Sequence, residues 1–402
     1  MDFKDTPEEA SFRAEAKQWL SEHAPNFEIK PDISEADYVA TAKAWQAKKA
    51  EAGFAGIRLS KNLGGRGGTE MESILFETEE AKYDLPIGPV VNIGQSMAVP
   101  VIHRHGTAEQ LQKFAAPTLK GDITWCQLFS EPAAGSDLAA LRTKAVKDGD
   151  DWIVNGQKVW SSWAHYADWG LLLTRTDPEA VKHKGLTFFI VDMKTPGIDI
   201  RPIRQISGES DFNETFLTDV RIPDSCRIGE VGEGWACAMT VLTSERMSSG
   251  EIKDTESVKR LIELAASLPT EQGTALDNDY VRERLAYWLC LEEGQKNFQL
   301  RMLTKLSQGD GPGAEASLIK YIYSQRLQQS AGFGIELQGL SGIASCIDNY
   351  PAQEHQKNYI WSSAMRVAGG ADEVLLNQVA ERVLGMPGEM RADKNIAFNK
   401  IP

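Results

Sequence analysis

Side chains able to do chemistry are spread thinly through this chain. His103 and His105 are two residues apart, a spacing that offers two metal ligands from one face of a strand. Their surroundings read as helix, however, and no third ligand accompanies them, so no metal site is expected. The cysteines, at 126, 226, 237, 290 and 346, are odd in number and widely spaced, with no C-x-x-C. That argues against a disulfide framework or a zinc site and fits a reducing compartment. G-x-G-x-x-G, G-x-x-x-x-G-K-[ST] and G-x-S-x-G are all missing, so a nicotinamide Rossmann domain, a P-loop and a serine hydrolase lack their usual signals. Gly332-Phe333-Gly334 followed by Gly339 has the wrong last spacing and a helical context. What remains are carboxylates. Glu245, in Leu242-Thr243-Ser244-Glu245-Arg246, falls in a helical stretch and by itself reads as a solvated helix residue, because positions i and i+1 do not face each other. Asp372 and Glu373 open the last helix, where negative charge is favoured, and read as capping or pairing groups.

The elements that must position such residues come in three blocks. Thr6 and Glu9 have the spacing of a capping box around Pro7, and Phe12, Ala16, Trp19 and Leu20 then fall on one helical face. Helical pattern continues to about residue 120, interrupted by the glycine-rich loop 62–68. From about 124 the period shortens to the alternation of strands. Segments near 152–154 and 157–160 flank Asn155-Gly156, which predicts a tight hairpin turn there. Further strands are expected near 170–175, 185–193, 198–206 and 214–222, with stops at Pro196-Gly197 and Pro223-Asp224. Beyond about 233 long helices return, one from about 279 to the breaker at 309–313 and a last one over 372–384. The fold class is therefore α+β, with an N-terminal helical domain (1–123), a middle β-sheet domain (124–232) and a C-terminal helical domain (233–402). With 43 basic and 57 acidic residues in 402, the net charge of −14 argues against a nucleic-acid binder. No apolar run is long enough for a membrane span, and the acidic N-terminus does not read as a signal peptide, so the cytoplasm is expected.

Residues 125–137 read WCQLFSEPAAGSD and those from 155 read NGQKVWSSWAHYADW. The pair resembles the two β-domain signatures of the acyl-CoA dehydrogenase family, in the same order and at the family's spacing. FNETFLTDVRIP (212–223), GEVGEGW (229–235), SER (244–246) and NQVAERVLGMP (377–387) are similar to further family landmarks. The resemblance spans nearly the whole chain. It implies the acyl-CoA dehydrogenase-like fold, with a C-terminal four-helix bundle, and an FAD-dependent oxidation of an acyl-CoA thioester to the 2-enoyl-CoA.

Residue by residue, the resemblance assigns Leu128, Phe129 and Ser130 to backbone and hydroxyl contacts with the flavin, and brings Ser162 to its N5. Trp160 would pack against the ring system, while Gly135 and Ser136 would form a tight loop, with Ser136 meeting the CoA side of the ligand. Such donors suit a cofactor whose reduced ring is electron-rich. The reaction also needs a base for the α-proton, and a carboxylate serves once an acyl chain desolvates it. Many family members carry that Glu in a C-terminal Tyr-Glu-Gly-Thr segment, whose position here is Gly369. A smaller branch, with isovaleryl-CoA and long-chain dehydrogenases, places it in an earlier Leu-x-x-Glu-Arg. The resemblance therefore implies Glu245 as base, Arg246 as a CoA contact and the Gly369 N–H as a donor to the thioester carbonyl. An electron-transfer flavoprotein is the implied electron acceptor, and a homodimer or homotetramer the implied assembly. Two features depart from the pattern: residues 265–278 lack the Arg-x-x-Phe-Gly that reaches FAD of a neighbouring subunit, and Ala371 replaces a Thr. These keep open a flavin-poor partner subunit of a heteromeric enzyme, and an oxygen-using oxidase is a third reading.

Overall fold

The computed structural model describes residues 5–30, 33–248, 258–271, 273–307, 313–344, 350–393 and 395–401. They form two compact units, one of residues 5–248 with those described after 388 and the other of the residues described from 258 to 388. Helices come first along the chain, then a sheet, then helices again. Among the described residues no helix is long and apolar enough to cross a membrane.

The larger unit opens with α1 (Pro7–His23), started by the anticipated capping box: Glu9 N–H donates to Thr6 Oγ1 at 3.2 Å and Thr6 N–H to Glu9 Oε2 at 2.8 Å. Phe12, Ala16 and Leu20 are buried along one face. Trp19 packs on Trp45 of α2 (Glu35–Glu51) and on Phe76 of α3 (Glu70–Glu80), with centroids at 5.3 and 6.1 Å. After α4 (Pro89–Ile93) the helix widens into one π turn, Gly94–Ala98, before α5 (Val99–His105) and α6 (Ala108–Leu119). His103 and His105 thus sit on a helix, as their context indicates.

The sheet has eight strands: β1 (Trp125–Leu128), β2 (Lys144–Asp148), β3 (Asp151–Ser162), β4 (Trp169–Arg175), β5 (Leu186–Asp192), β6 (Ile198–Ile203), β7 (Phe212–Pro223) and β8 (Arg227–Ile228). Their order is β6-β7-β3-β2-β4-β5-β8, with β1 parallel to β4. Alternate residues of β4 and β5 feed two cores. Leu171, Leu173, Phe188 and Ile190 join Val101, Phe114 and Trp125 on one face, whereas Leu172, Phe189 and Val191 join Trp152, Leu217 and Val220 on the other. Both faces being covered explains why these strands read as unbroken apolar runs. Each such side chain contributes about 1.5–3 kcal/mol by leaving water. Helix α7 (Gly234–Ser248) completes the first core with Cys237, Ala238 and Val241.

The hairpin expected at Asn155-Gly156 is not there. The chain turns instead at Gly149-Asp150, where Asp148 pairs with Asp151 and Gly149 takes φ 59°. Strand β3 runs straight through Asn155-Gly156 with a register shift against β7. Asn155 exchanges hydrogen bonds with Asp219, Nδ2 to Oδ1 at 3.0 Å and Asp219 N–H to its Oδ1 at 2.9 Å. Glycine is required at 156 because a Cβ would lie 2.4 Å from Thr143 Oγ1. A dipeptide with turn propensity is used for a bulge in the pairing of β3 with β7.

The segment after residue 388 returns to the sheet. Val181 and Ala397 form a bridge, Phe398 N–H donates to the Ala180 carbonyl at 2.9 Å, and the Arg175 guanidinium sits 3.5 Å above the Phe398 ring.

The smaller unit contains α8 (Val258–Ser267), a short hairpin of β9 (Pro269–Thr270) and β10 (Gly273–Thr274), and the helices α9 (Asp279–Ser307), α10 (Ser317–Leu337), α11 (Leu340–Ile343), α12 (Tyr350–Met365) and α13 (Asp372–Arg382). Its core gathers Val258, Leu261, Leu285, Trp288 and Phe333. Gly332-Phe333-Gly334 lies inside α10 and is no phosphate loop. Cys346 lies outside the described residues.

Candidate active site

The two signature segments are stapled together. β1 ends at the fully buried Leu128, and Phe129 follows it into the core against Phe188, edge to face at 5.8 Å. Val159 N–H then donates to the Ser130 carbonyl at 2.9 Å. One residue earlier, the Lys158 ammonium donates to the Phe129 carbonyl and to Glu131 Oε1, each at 2.9 Å. Glu131 also accepts the Arg142 and Thr143 N–H groups at 2.6 and 2.8 Å. Burial would raise the Glu131 carboxyl, but the Lys158 charge and these donors outweigh it and hold it below its ordinary range. Lys158 itself is 0% exposed, and burial draws its pKa down to about 8 against the pull of Glu131.

Glu131 and Ala134 exchange backbone hydrogen bonds at 3.0 Å, closing a turn that leaves Gly135 and Ser136 on the surface. Nothing stands within 4 Å of where a Gly135 Cβ would be. Next to Ser136, Asp137 accepts from Lys182 at 2.6 Å, and Lys182 also pairs with Asp393 of the returning C-terminal segment.

A second irregularity between β3 and β7, from Lys158 to Ser161, turns Trp160 outward. Trp160 holds a left-handed φ of 61° and is 58% exposed, an unusual state for a large aromatic and the kind of strain that marks functional segments. Ser162 ends the strand half-buried, beside Ser161, whose buried hydroxyl has no partner among the described residues. The following turn is anchored to the sheet and to α2: Trp163 stacks on Tyr38 at 5.5 Å, and His165 bonds Asn213 of β7 at 3.0 Å and Glu35 of α2 at 2.6 Å.

Ala238, Val241, Leu242 and Glu245 share one face of α7 at i, i+3, i+4 and i+7. The first two are buried and Leu242 packs beside them, so Glu245 is a half-buried carboxylate continuing an apolar stripe. The Arg246 side chain lies outside the described residues. Gly369, in the smaller unit, takes φ 66° in the loop between α12 and α13, followed by Gly370 at 103°. Lys320 donates to the Gly370 carbonyl at 2.7 Å. Asp372 is buried and accepts from Arg366 Nε at 2.7 Å, while Glu373 is exposed. Asp372 matches the pairing reading, while the N-cap position of the helix is Ala371, which has no side-chain cap. The Lys158–Glu131 pair and the returning C-terminal segment beside Asp137 were not legible in the sequence. The one available signal was a lysine inside the apolar alternation of β3.

The acyl-CoA dehydrogenase N-terminal, middle and C-terminal domain models match residues 6–122, 126–220 and 232–384. Acyl-CoA dehydrogenase FadE34 of Mycobacterium tuberculosis is 36% identical over 385 residues, covering 95% of this chain; the chain spans 50% of that protein's length. Acyl-CoA dehydrogenase IpdE1 of Mycolicibacterium smegmatis is 32% identical over 94% of this chain and 98% of its own. Among solved structures, the Tcur3481-Tcur3483 steroid ACAD superposes with a TM-score of 0.80 at 26% identity, covering 97% of this chain and 100% of that one. The ChsE4-ChsE5 complex from Mycobacterium tuberculosis gives 0.78 at 26% identity, with the same coverage. With its full-length relatives and its signature segments in register, the chain belongs to the acyl-CoA dehydrogenase family, a family of flavoprotein oxidoreductases.

Proposed function

We propose that this protein catalyses FAD-dependent α,β-dehydrogenation of a bulky acyl-CoA thioester, with Glu245 as the base, on domains spanning 1–123, 124–232 and 233–402. The observation that carries the reading is the joining of the two flavin signatures by Val159, Lys158 and their carbonyl partners.

The residues present fit a flavin. The Ser130 N–H has no acceptor among the described residues, and a buried serine hydroxyl at 161 is also unpartnered. Beside them stand an exposed Trp160 face and the half-buried Ser162. Leu128, Phe129, Ser130, Trp160 and Ser162 would hold the isoalloxazine, with Gly135 and Ser136 forming the loop toward CoA. Bound FAD would supply the two-electron acceptor for the hydride leaving Cβ. The chain's own work is to place the substrate and take the proton. Glu245 accepts the α-proton onto a carboxylate oxygen. The Gly369 N–H donates to the thioester carbonyl as charge develops there, and Arg246 contacts the CoA portion.

A bulky acyl group is favoured by the base on α7, and a steroid side chain is the specific candidate because a steroid ACAD shares this fold over the whole chain. That structure and the ChsE4-ChsE5 complex each pair two different chains. The assembly proposed here is accordingly a dimer or dimer of dimers, with a second family member able to supply what 265–278 lack. Electrons would pass to an electron-transfer flavoprotein in the cytoplasm.

The test begins with the visible spectrum of the purified protein, alone and with its partner chain. About one FAD per chain and anaerobic bleaching by acyl-CoA are expected. Glu245→Gln should keep the flavin and slow bleaching about a thousandfold. Bleaching at the wild-type rate would remove Glu245 from the mechanism. A colourless protein that never takes up FAD would mark a structural partner subunit, and stoichiometric peroxide in air an oxidase.

A further inference from the structure

The Lys158–Glu131 pair is placed at cost. A fully buried ion pair is on balance no more stabilising than an apolar pair of the same volume, so stability alone does not account for it. Its geometry is specific. The ammonium meets the carbonyl of the Phe129–Ser130 peptide at 2.9 Å, and that same peptide carries the Ser130 N–H, which has no acceptor among the described residues. A cation on the oxygen side of an amide draws electron density from its nitrogen and strengthens the N–H as a donor, the more so where water is excluded. The negative partner is directed elsewhere: Glu131 is satisfied by the Arg142 and Thr143 N–H groups as well as by Lys158. The other buried cation nearby, Arg175, donates to the Leu141, Lys182 and Ala139 carbonyls and does not bond to this peptide.

We propose that Lys158 is a positioning residue that tunes the flavin through the Phe129–Ser130 peptide, polarising the Ser130 N–H so that the site binds reduced, electron-rich flavin more tightly than oxidised flavin. The inference rests on the assignment of Ser130 to the flavin made above. Lys158 touches neither substrate nor cofactor in this scheme, so a merely structural role would alter folding or FAD content without moving the midpoint potential.

The decisive quantity is the two-electron midpoint potential of the bound flavin, measured spectroelectrochemically on the holoprotein. The E131Q/K158M double variant removes both charges and leaves no buried ion unpaired. It should retain FAD while binding reduced flavin about tenfold less tightly relative to oxidised, a shift of about −30 mV. K158Q, which keeps a neutral donor, reads the same quantity if the double variant does not fold. A folded, FAD-loaded double variant or K158Q at the wild-type potential overturns the inference alone. A wild-type protein that takes up no FAD overturns the flavin assignment and this inference together.

Discussion

Gly94 opens the π turn, and a Cβ there would lie 2.7 Å from Thr118 Cγ2 and 2.9 Å from Trp125 Cδ1. Those two neighbours are themselves locked, since Trp125 Nε1 donates to Thr118 Oγ1 at 2.9 Å. Gly94→Ala is expected to cost about 1–3 kcal/mol by overpacking, read as a lower midpoint in urea with unchanged slope; a midpoint at or above wild type would show that the turn has room. At the same scale Trp160 and Glu245 illustrate opposite kinds of legibility. Glu245 is named by a short motif, and its helical face follows from counting. The left-handed backbone of Trp160 comes from a shift in strand register against β7 that no local pattern announces.

At the scale of elements, the returning C-terminal segment acts as a brace on the loop between β4 and β5. Phe398 lies under Arg175, Ala397 bridges Val181, and Asp393 shares Lys182 with Asp137, the neighbour of Ser136. Removing residues 389–402 takes away a cation–π contact, an ion pair and several backbone bonds. The larger unit should lose about 2–4 kcal/mol in denaturant unfolding, and the 177–185 loop should gain fast-exchanging amides. Unchanged stability and exchange would mean that the brace carries no load. The strands expected near 170–175, 185–193, 198–206 and 214–222 are present as β4 to β7, whereas β2 was not anticipated and Asn155-Gly156 makes no turn. There the turn signal was overridden by β7, whose Asp219 satisfies Asn155 and whose register requires the bulge.

For the whole molecule, acid is the expected weakness. Arg13 holds the Asp5 carboxyl below its usual range, and Arg227, with Trp152 and Lys147, holds Asp224 well below it. Glu131 is likewise depressed, burial being outweighed by Lys158 and two N–H donors. A carboxylate depressed by folding stabilises the native state at pH values above its unfolded pKa of about 4. That stability is lost as the pH falls through the lower folded values, because the unfolded chain then binds more protons. Calorimetry should show a Tm that falls as the pH drops below about 4. A Tm that stays level down to pH 3 would mean these ion pairs survive unfolding or contribute nothing.

By itself the sequence determined the family, the α, β, α order and which face of α7 carries Glu245. Those depend on side-chain types at fixed spacing and on periodicity, which are written locally. Only the tertiary structure decided that Phe129 and Lys158 meet, that Trp160 is turned outward, that helices α4 and α5 are joined through a π turn, and that the chain after residue 388 folds back beside Ser136. Each of these depends on which distant segment supplies a hydrogen-bond partner, whether a carbonyl for a buried ammonium or an edge for a shifted strand. Such partners are chosen by packing, and residues far apart along the chain carry no record of their future neighbours.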